Sequence, residues 1–432
     1  MDNSSKYAEQ LYSYFNDNLS GMLKKPNTCL RYPFVDPGSI YDGNLWDWDS
    51  FWAVYSLFAI SGRDSGSNPE AQGKKALILQ HAKGNIYNFF DFQMEDGYIP
   101  MMVEKSDLPE PYLIMKHREG AVLNMHKPFL CQQICLISGF CSDFEWARPY
   151  SENLIKYFRC YDRYYFNENC RLYVWADDVM IGMDNDPASF GRPRFSTANI
   201  FLNSFMVREL KSMAVIMGRL GNRDVESEFN KKAAMLTQSI QQECWDKRDE
   251  FFYSVDVDIK TRAYDWFHKG LGVFWKTLPI KIRVWSGFLP MWTGFATKEQ
   301  AEALVKKHIL DEATFNSPYG PRTLSRDEKM YDLSATNNPS NWLGPIWIIA
   351  NYIVFRGLMN YGYTSEAREV YQKTLLLLGE DLERTGTLHE YYVPETGEPV
   401  MNGGFMNWNM LIVNMEDELS GRPSMDSFLP GI

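Results

Sequence analysis

The sequence predicts an all-α fold, an (α/α)6 toroid of roughly six helical hairpins with small β-hairpins at its rim. Three observations carry this reading. Apolar residues recur at helical spacing along most of the 432 residues. The helical segments come in pairs joined by short turns. In several pairs one helix is apolar nearly all round and its partner is amphipathic; a helix apolar on every side must be covered on every side. An inner ring inside an outer ring meets that demand for residues 1–432 as a single domain, and no Gly/Ser/Pro-rich linker divides the chain. The alternative is an open α-solenoid, whose inner helices would be less uniformly apolar.

The pairs follow in order. The first is expected at about 49–61 and 69–93, the second at about 126–141 and 145–164. The third starts in "STANIFLNSFMVRELKSMAVIMGRLGN", where Ile200, Phe201, Phe205, Leu210, Met213 and Met217 share one broad face. Ser196 or Thr197 is its expected cap and Gly221 its stop, and a partner follows at about 224–245. "VWSGFLPMWTGF" precedes "TKEQAEALVKKHIL", where Thr297 and Gln300 have capping-box spacing. "PIWIIANYIVFRGLMNYG" stops at Gly362 and "TSEAREVYQKTLLLLGEDLERTG" follows. A last helix at about 405–415 is expected to close against an N-terminal one at about 6–19. "RLYVWA" and "EFFYSVDV" read as rim hairpins.

Composition narrows the function. A net charge of −11, with no Lys/Arg run longer than two, argues against a nucleic-acid surface. Aromatics make up 15%, including 13 Trp and 25 Tyr, which suits stacking on sugar rings as well as a large aromatic core. The seven Cys lack zinc spacing and read as free thiols of a reducing compartment. The N-terminus has no signal-peptide pattern and no apolar run is long enough for a membrane span, so a cytoplasmic protein is expected.

Three loops concentrate the chemistry. Tyr32 to Trp52 gathers three Trp and four Asp; Tyr41, Trp46 and Trp48 are candidate sugar contacts, Trp52 is either that or core, and Asp49 is a hydroxyl acceptor or a helix cap. "GMDNDP" carries Asp184 and Asp186. "LHEYYVPETGEPVMNGGFMNWNM" holds Glu390 among aromatics and leads to Trp408. Two carboxylates on separate loops facing one cavity are the minimum for glycoside hydrolysis, one as proton donor and one as base or nucleophile. GxSxG, HExxH, P-loop and GxGxxG motifs do not occur, and the six His include no pair at i, i+4.

At these loops the sequence resembles the inverting α-glycosidases of the six-hairpin toroid: the family 63 glycoside hydrolases, with the bacterial mannosylglycerate and glucosylglycerate hydrolases, and the related trehalases. "PFVDPGSIYDGNLWDWDSFW" is similar to the trehalase signature Pro-Gly-Gly-Arg-Phe followed by Tyr-x-Trp-Asp. "DGYIP" and "LNMHKPF" resemble two further substrate loops. "GMDNDP" resembles the Gly-Trp-Asp-Asn-Ser-Pro acid loop, "NWLGPIW" the Trp-Arg-Gly-Pro-Val-Trp segment, and "HEYYVPETGEP" the Glu-x-Tyr-x-Pro-x-Thr-Gly-Glu base loop. The resemblance implies Asp184 as general acid and Glu390 as general base. It further implies Trp48 and Asp49 as contacts to the sugar at the non-reducing end, Asn124 and Lys127 in a substrate loop, and Trp347 and Trp408 on the cavity wall. Asp186, just before Pro187, reads as a turn former. Ser39-Ile40, Met125 and Lys127 depart from the trehalase pattern, which argues against trehalose.

The implied chemistry requires no metal or cofactor. Asp184 is expected to be held protonated by apolar neighbours and nearby negative charge, and Glu390 to stay ionised. The expected partner is a small α-glucoside or α-mannoside, glucosyl- or mannosylglycerate or an α-linked disaccharide among them. For a carboxylate aglycone, Lys127, Arg192, Arg194 and Arg322 are the candidate cations. Two competing readings keep the toroid: a sugar epimerase relying on His126 and His389, and a non-catalytic carbohydrate binder.

Overall fold

Thirteen α-helices organise the computed structural model, which describes residues 3–63, 69–108, 110–259, 275–334 and 340–431. They are α1 (Asn3–Asn18), α2 (Asp47–Arg63), α3 (Pro69–Asp91), α4 (Tyr112–Arg118), α5 (Leu130–Cys141), α6 (Ser151–Tyr164) and α7 (Ile200–Arg219). Then come α8 (Arg223–Glu243), α9 (Leu289–Thr293), α10 (Lys298–Leu304), α11 (Ile348–Asn360), α12 (Thr364–Thr385) and α13 (Leu411–Leu419). Helices α2, α5, α7, α9, α11 and α13 pack each on the next in that order, and α13 returns to α2. That closed circuit is the inner ring of an (α/α)6 toroid. The outer helices α3, α8 and α12 lie against α2, α7 and α11.

The ring follows from burial. In α2 every residue from Asp47 to Ser61 is buried, whereas α6 and α8 each bury a single stripe. Each Leu, Ile or Phe of an inner helix contributes about 1.5–3 kcal/mol by leaving water, so a helix with apolar residues on all sides gains most when surrounded. Gly221 (φ +87°) and Gly362 (φ +81°) stop α7 and α11 in the left-handed conformation that glycine takes without a Cβ clash. The α10 capping box forms as expected: Gln300 N donates to Thr297 Oγ1 (3.2 Å), and Thr297 N donates to Gln300 Oε1 (2.8 Å).

Three local expectations are corrected. The α7 cap is Asn199, whose side chain accepts from Phe201 N (2.8 Å); Thr197–Ala198 is instead paired antiparallel with Val255–Asp256. Helix α1 rests on α12, so closely that a Cβ on Gly379 would lie 2.2 Å from the Tyr7 ring, and α13 closes the ring against α2. "VWSGFLPMWTGF" forms a 3-10 turn and then the five residues of α9, which Gly294 (φ +90°) ends; Gly287 in the turn lies against the Phe251 ring. The rim hairpins are present: Phe166–Asn167 with Leu172–Tyr173, and Trp245–Asp246 with Phe251–Phe252.

The N-terminal ends of the inner helices share one side of the ring. Asp47 to Asp49 open α2, Lys127 lies just before α5, Trp347 directly before α11, and Trp408 just before α13. The opposite end is closed by the turn Met425–Phe428. Phe428 sits where a Cβ on Gly139 would be 2.5 Å away, and Asp426 accepts from Arg208 (2.7 and 2.8 Å) and Arg356 (3.1 Å). All seven cysteines are free and six are buried. Among the described residues no helix is long and apolar enough to cross a membrane.

Candidate active site

A cavity of about 430 Å³ opens at the N-terminal side of the inner ring. Of the ten sequence-predicted site residues, nine line it: Asp184, Glu390, Tyr41, Trp46, Trp48, Asp49, Lys127, Trp347 and Trp408. Asn124 does not. Its amide donates to Asp177 O, Asp177 Oδ1 and Val179 O (each 3.0 Å) and accepts from Ala176 N (2.7 Å), so it ties down the acid loop from behind. Trp52 is core, fully buried against Phe51, Tyr55, Phe129, Trp292 and Tyr352.

The acid loop is held by its own sequence. Gly182 (φ +97°) lies against the indole of Trp48, where a Cβ would meet ring carbons at 3.1 Å. Asp186 is the turn former: its carboxylate accepts from Ala188 N (3.1 Å), Ser189 Oγ (3.1 Å) and Asn199 Nδ2 (2.7 Å). The last of these bonds fastens the loop to the α7 cap. Asn185 bonds the next wall, donating to Asn341 Oδ1 (3.1 Å) and accepting from Trp342 N (2.7 Å). That wall is an aromatic stack, Trp342 on Trp347 (3.9 Å between centroids) and Trp347 on Tyr391 (4.9 Å).

Asp184 is free to face the cavity because Asp186 and Asn185 carry the structural bonds. Burial raises its pKa above the usual aspartate value; a hydrogen bond with Ser340 and the charge of Lys127 act in the opposite sense. The expected help from a neighbouring anion is therefore replaced by burial alone. Glu390 differs from its expectation as well. Burial pushes it up to about 7 and Asp184 adds to the rise, against the bonds it accepts from Asn402 and Tyr41. Tyr41 Oη donates to Glu390 Oε1 (2.9 Å) and Asn402 Nδ2 donates to Oε2. Because the Asp184 charge raises Glu390, protonating Asp184 eases ionisation of Glu390.

Asp49 lies in the first turn of α2, where it accepts from Asn407 Nδ2 (2.8 Å), and burial raises its pKa well above the usual value. Lys127 is 1% exposed; its ammonium bonds Asp47 Oδ1 (2.8 Å) and Met180 O (3.2 Å). The other candidate cations serve the scaffold. Arg192 bonds Asp256 and Thr197, Arg194 bonds backbone carbonyls of Val122 and Ala176, and Arg322 bonds Glu395 and the Asn316 carbonyl. Nor do the two histidines line the cavity. His126 is buried against Phe89 with its pKa lowered to about 4, and His389 bonds Asp381 (2.9 Å). The described residues contain no cluster of three or more His, Cys, Asp or Glu arranged to hold a metal.

Asp178, Val179, Met180, Phe190 and Ser340 also line the cavity, and Asn402 holds Glu390 without lining it. None was singled out from sequence. The stretch "EPVMNGGF" offered one usable signal, an Asn before two glycines: Asn402 adopts φ +53°, which Asn tolerates better than most residues.

Comparisons with known proteins bear on the family and the fold. Residues 77–408 match the family model described as mannosylglycerate hydrolase MGH1-like glycoside hydrolase domain. A probable mannosyl-oligosaccharide glucosidase of Schizosaccharomyces pombe is 27% identical over 247 residues, 55% of this chain and 28% of that one. Mannosylglycerate hydrolase MGH1 of Selaginella moellendorffii is 32% identical over 126 residues, 28% of this chain and 22% of that one. The matches thus span about a quarter of the length of these relatives. The crystal structure of GH63 mannosylglycerate hydrolase from Thermus thermophilus in complex with glucose superposes with a TM-score of 0.67. It covers 93% of this chain and 99% of that one at 18% identity.

Proposed function

The chain belongs to the mannosylglycerate hydrolase MGH1-like glycoside hydrolase family, and on that footing we propose that it hydrolyses a small α-glucoside or α-mannoside with inversion at the anomeric carbon. The observation that carries the proposal is the meeting of Asp184 and Glu390, from loops over two hundred residues apart, at one cavity walled by Trp46, Trp48, Trp347 and Trp408. Asp184 donates its proton to the glycosidic oxygen as the bond to C1 breaks. Glu390 removes a proton from a water that attacks C1 from the opposite face. Tyr41 and Asn402 each occupy one acceptor site on Glu390, one per oxygen, which leaves lone pairs to receive that water. The indoles offer flat apolar faces to the sugar. One catalytic domain across the chain, a cytoplasmic location in keeping with the free thiols, and chemistry without a metal or cofactor belong to the same proposal.

The test is release of free sugar from a panel of glucosylglycerate, mannosylglycerate, trehalose, kojibiose, nigerose and short α-glucans. Asp184→Asn and Glu390→Gln are each expected to lower kcat by roughly 10²–10⁴ on the best substrate while the fold persists. Near wild-type turnover in either variant removes that residue from its role. An epimerase would convert the sugar without releasing an aglycone, and burial of His126 away from the cavity weighs against it.

A further inference from the structure

The outer part of the cavity has its own chemistry. Val179 and Phe190 both line the cavity, yet each is 56% exposed, so an apolar rim stands at the mouth while the indoles lie deeper. The rim is held in place: Phe190 N donates to Asp186 O (2.7 Å), and Asp186 is itself bonded at both carboxylate oxygens. Asp178 adjoins it, half-buried, with one oxygen accepting from Gly191 N (2.7 Å) and the other without a hydrogen-bond partner among the described residues. The carboxylic and cationic side chains among the described lining residues are Asp49, Asp178, Asp184, Glu390 and Lys127. The Lys127 charge is balanced by Asp47, which is fully buried beneath it. Arg192, Arg194 and Arg322 are engaged elsewhere in the scaffold. A carboxylate entering the mouth would therefore meet Asp178 and Glu390, with no surplus cation among the described lining residues to receive it.

We propose that this mouth is an aglycone subsite for a neutral, sugar-like group, with Phe190 and Val179 against its apolar face and Asp178 accepting from a hydroxyl, and that it disfavours an aglycone bearing a carboxylate. The proposal rests on the hydrolase reading above and narrows its substrate. An aromatic face takes the C–H face of a sugar ring, and an ionised carboxylate with a vacant lone pair takes hydroxyl donors but repels a second anion.

The test compares two α-glycosides with the same glycosyl group, one of glycerol and one of glycerate, beside an α-linked disaccharide and the α-glycosyl fluoride, whose leaving group makes no aglycone contacts. The expected kcat/KM is at least about tenfold higher for the glyceryl glycoside than for the glycerate glycoside at low salt, with the gap narrowing as salt screens the charges. Asp178→Asn should raise kcat/KM for the glycerate compound specifically. Phe190→Ala should lose at least about tenfold more on the disaccharide than on the fluoride. A glycerate glycoside equal to or better than its glyceryl counterpart, or a Phe190→Ala loss equal on disaccharide and fluoride, overturns the subsite. No turnover of any compound, the fluoride included, overturns the hydrolase reading and this one with it.

Discussion

Replacing Glu390 with Gln should make the protein more stable at high pH, and the size follows from burial. An ordinary glutamate titrates at 4.5, and in the fold burial lifts Glu390 to about 7. Below 4.5 the side chain is neutral in both folded and unfolded states, and ionisation costs nothing. Between 4.5 and about 7 the unfolded chain releases the proton while the folded chain keeps it. Stability is therefore lost as pH rises through this window, and above about 7 the loss is complete. The full span is worth about 3 kcal/mol, since each pH unit corresponds to about 1.4 kcal/mol. The Glu390→Gln side chain escapes the loss and keeps both bonds, because its oxygen accepts from Asn402 while its amide donates to the Tyr41 hydroxyl. The substitution also removes one charge that raises Asp49, an effect of the same sign. Urea unfolding of wild type and variant at about pH 5 and pH 8 reads the difference. The expected result is similar stability at pH 5 and a variant more stable by about 2–3 kcal/mol at pH 8. Equal stability at both pH values, or a variant weakened at pH 8, would refute the claim that a strained, buried carboxylate is held there for function.

Two further substitutions probe how the carboxyls are positioned. Asn402→Gly keeps the positive φ but removes the amide that stabilises ionised Glu390. The acidic limb of the kcat/KM profile should then move up by about 0.5–1 pH unit with little change in melting temperature; an unmoved limb would deny Asn402 its positioning role. Gly182→Ala sets a Cβ against Trp48 at φ +97°. It should cost about 1–3 kcal/mol in urea unfolding and lower kcat together, and an unaffected enzyme would show that the acid loop is not braced by that indole.

The architecture was legible because helical periodicity is local: an inner helix such as α11 declares itself by lacking a polar side, and the α10 capping box by two residues three apart. Departures arose where distant chain competes for a segment. Thr197 has the right chemistry for a cap, yet the strand at Val255–Asp256 claims it and the cap passes to Asn199. Asp184 and Glu390 stood out as carboxylates inside apolar, turn-marked loops, and the structure brings them to one cavity. Asn124 sits in the right loop, but its side chain faces the backbone behind the acid loop; a position in sequence does not specify which way an amide points. Phe190, Asp178, Ser340 and Asn402 escaped notice because their types are unremarkable and their meaning lies in neighbours far along the chain.

Proton NMR of the first-formed sugar tests the central claim most directly. With a good α-glycoside substrate, the β-anomer of the released sugar should appear first and the α-anomer only as mutarotation proceeds, because water attacks opposite the departing aglycone. Initial appearance of the α-anomer would mean retention, and would contradict the assignment of Asp184 as acid and Glu390 as the base that activates water.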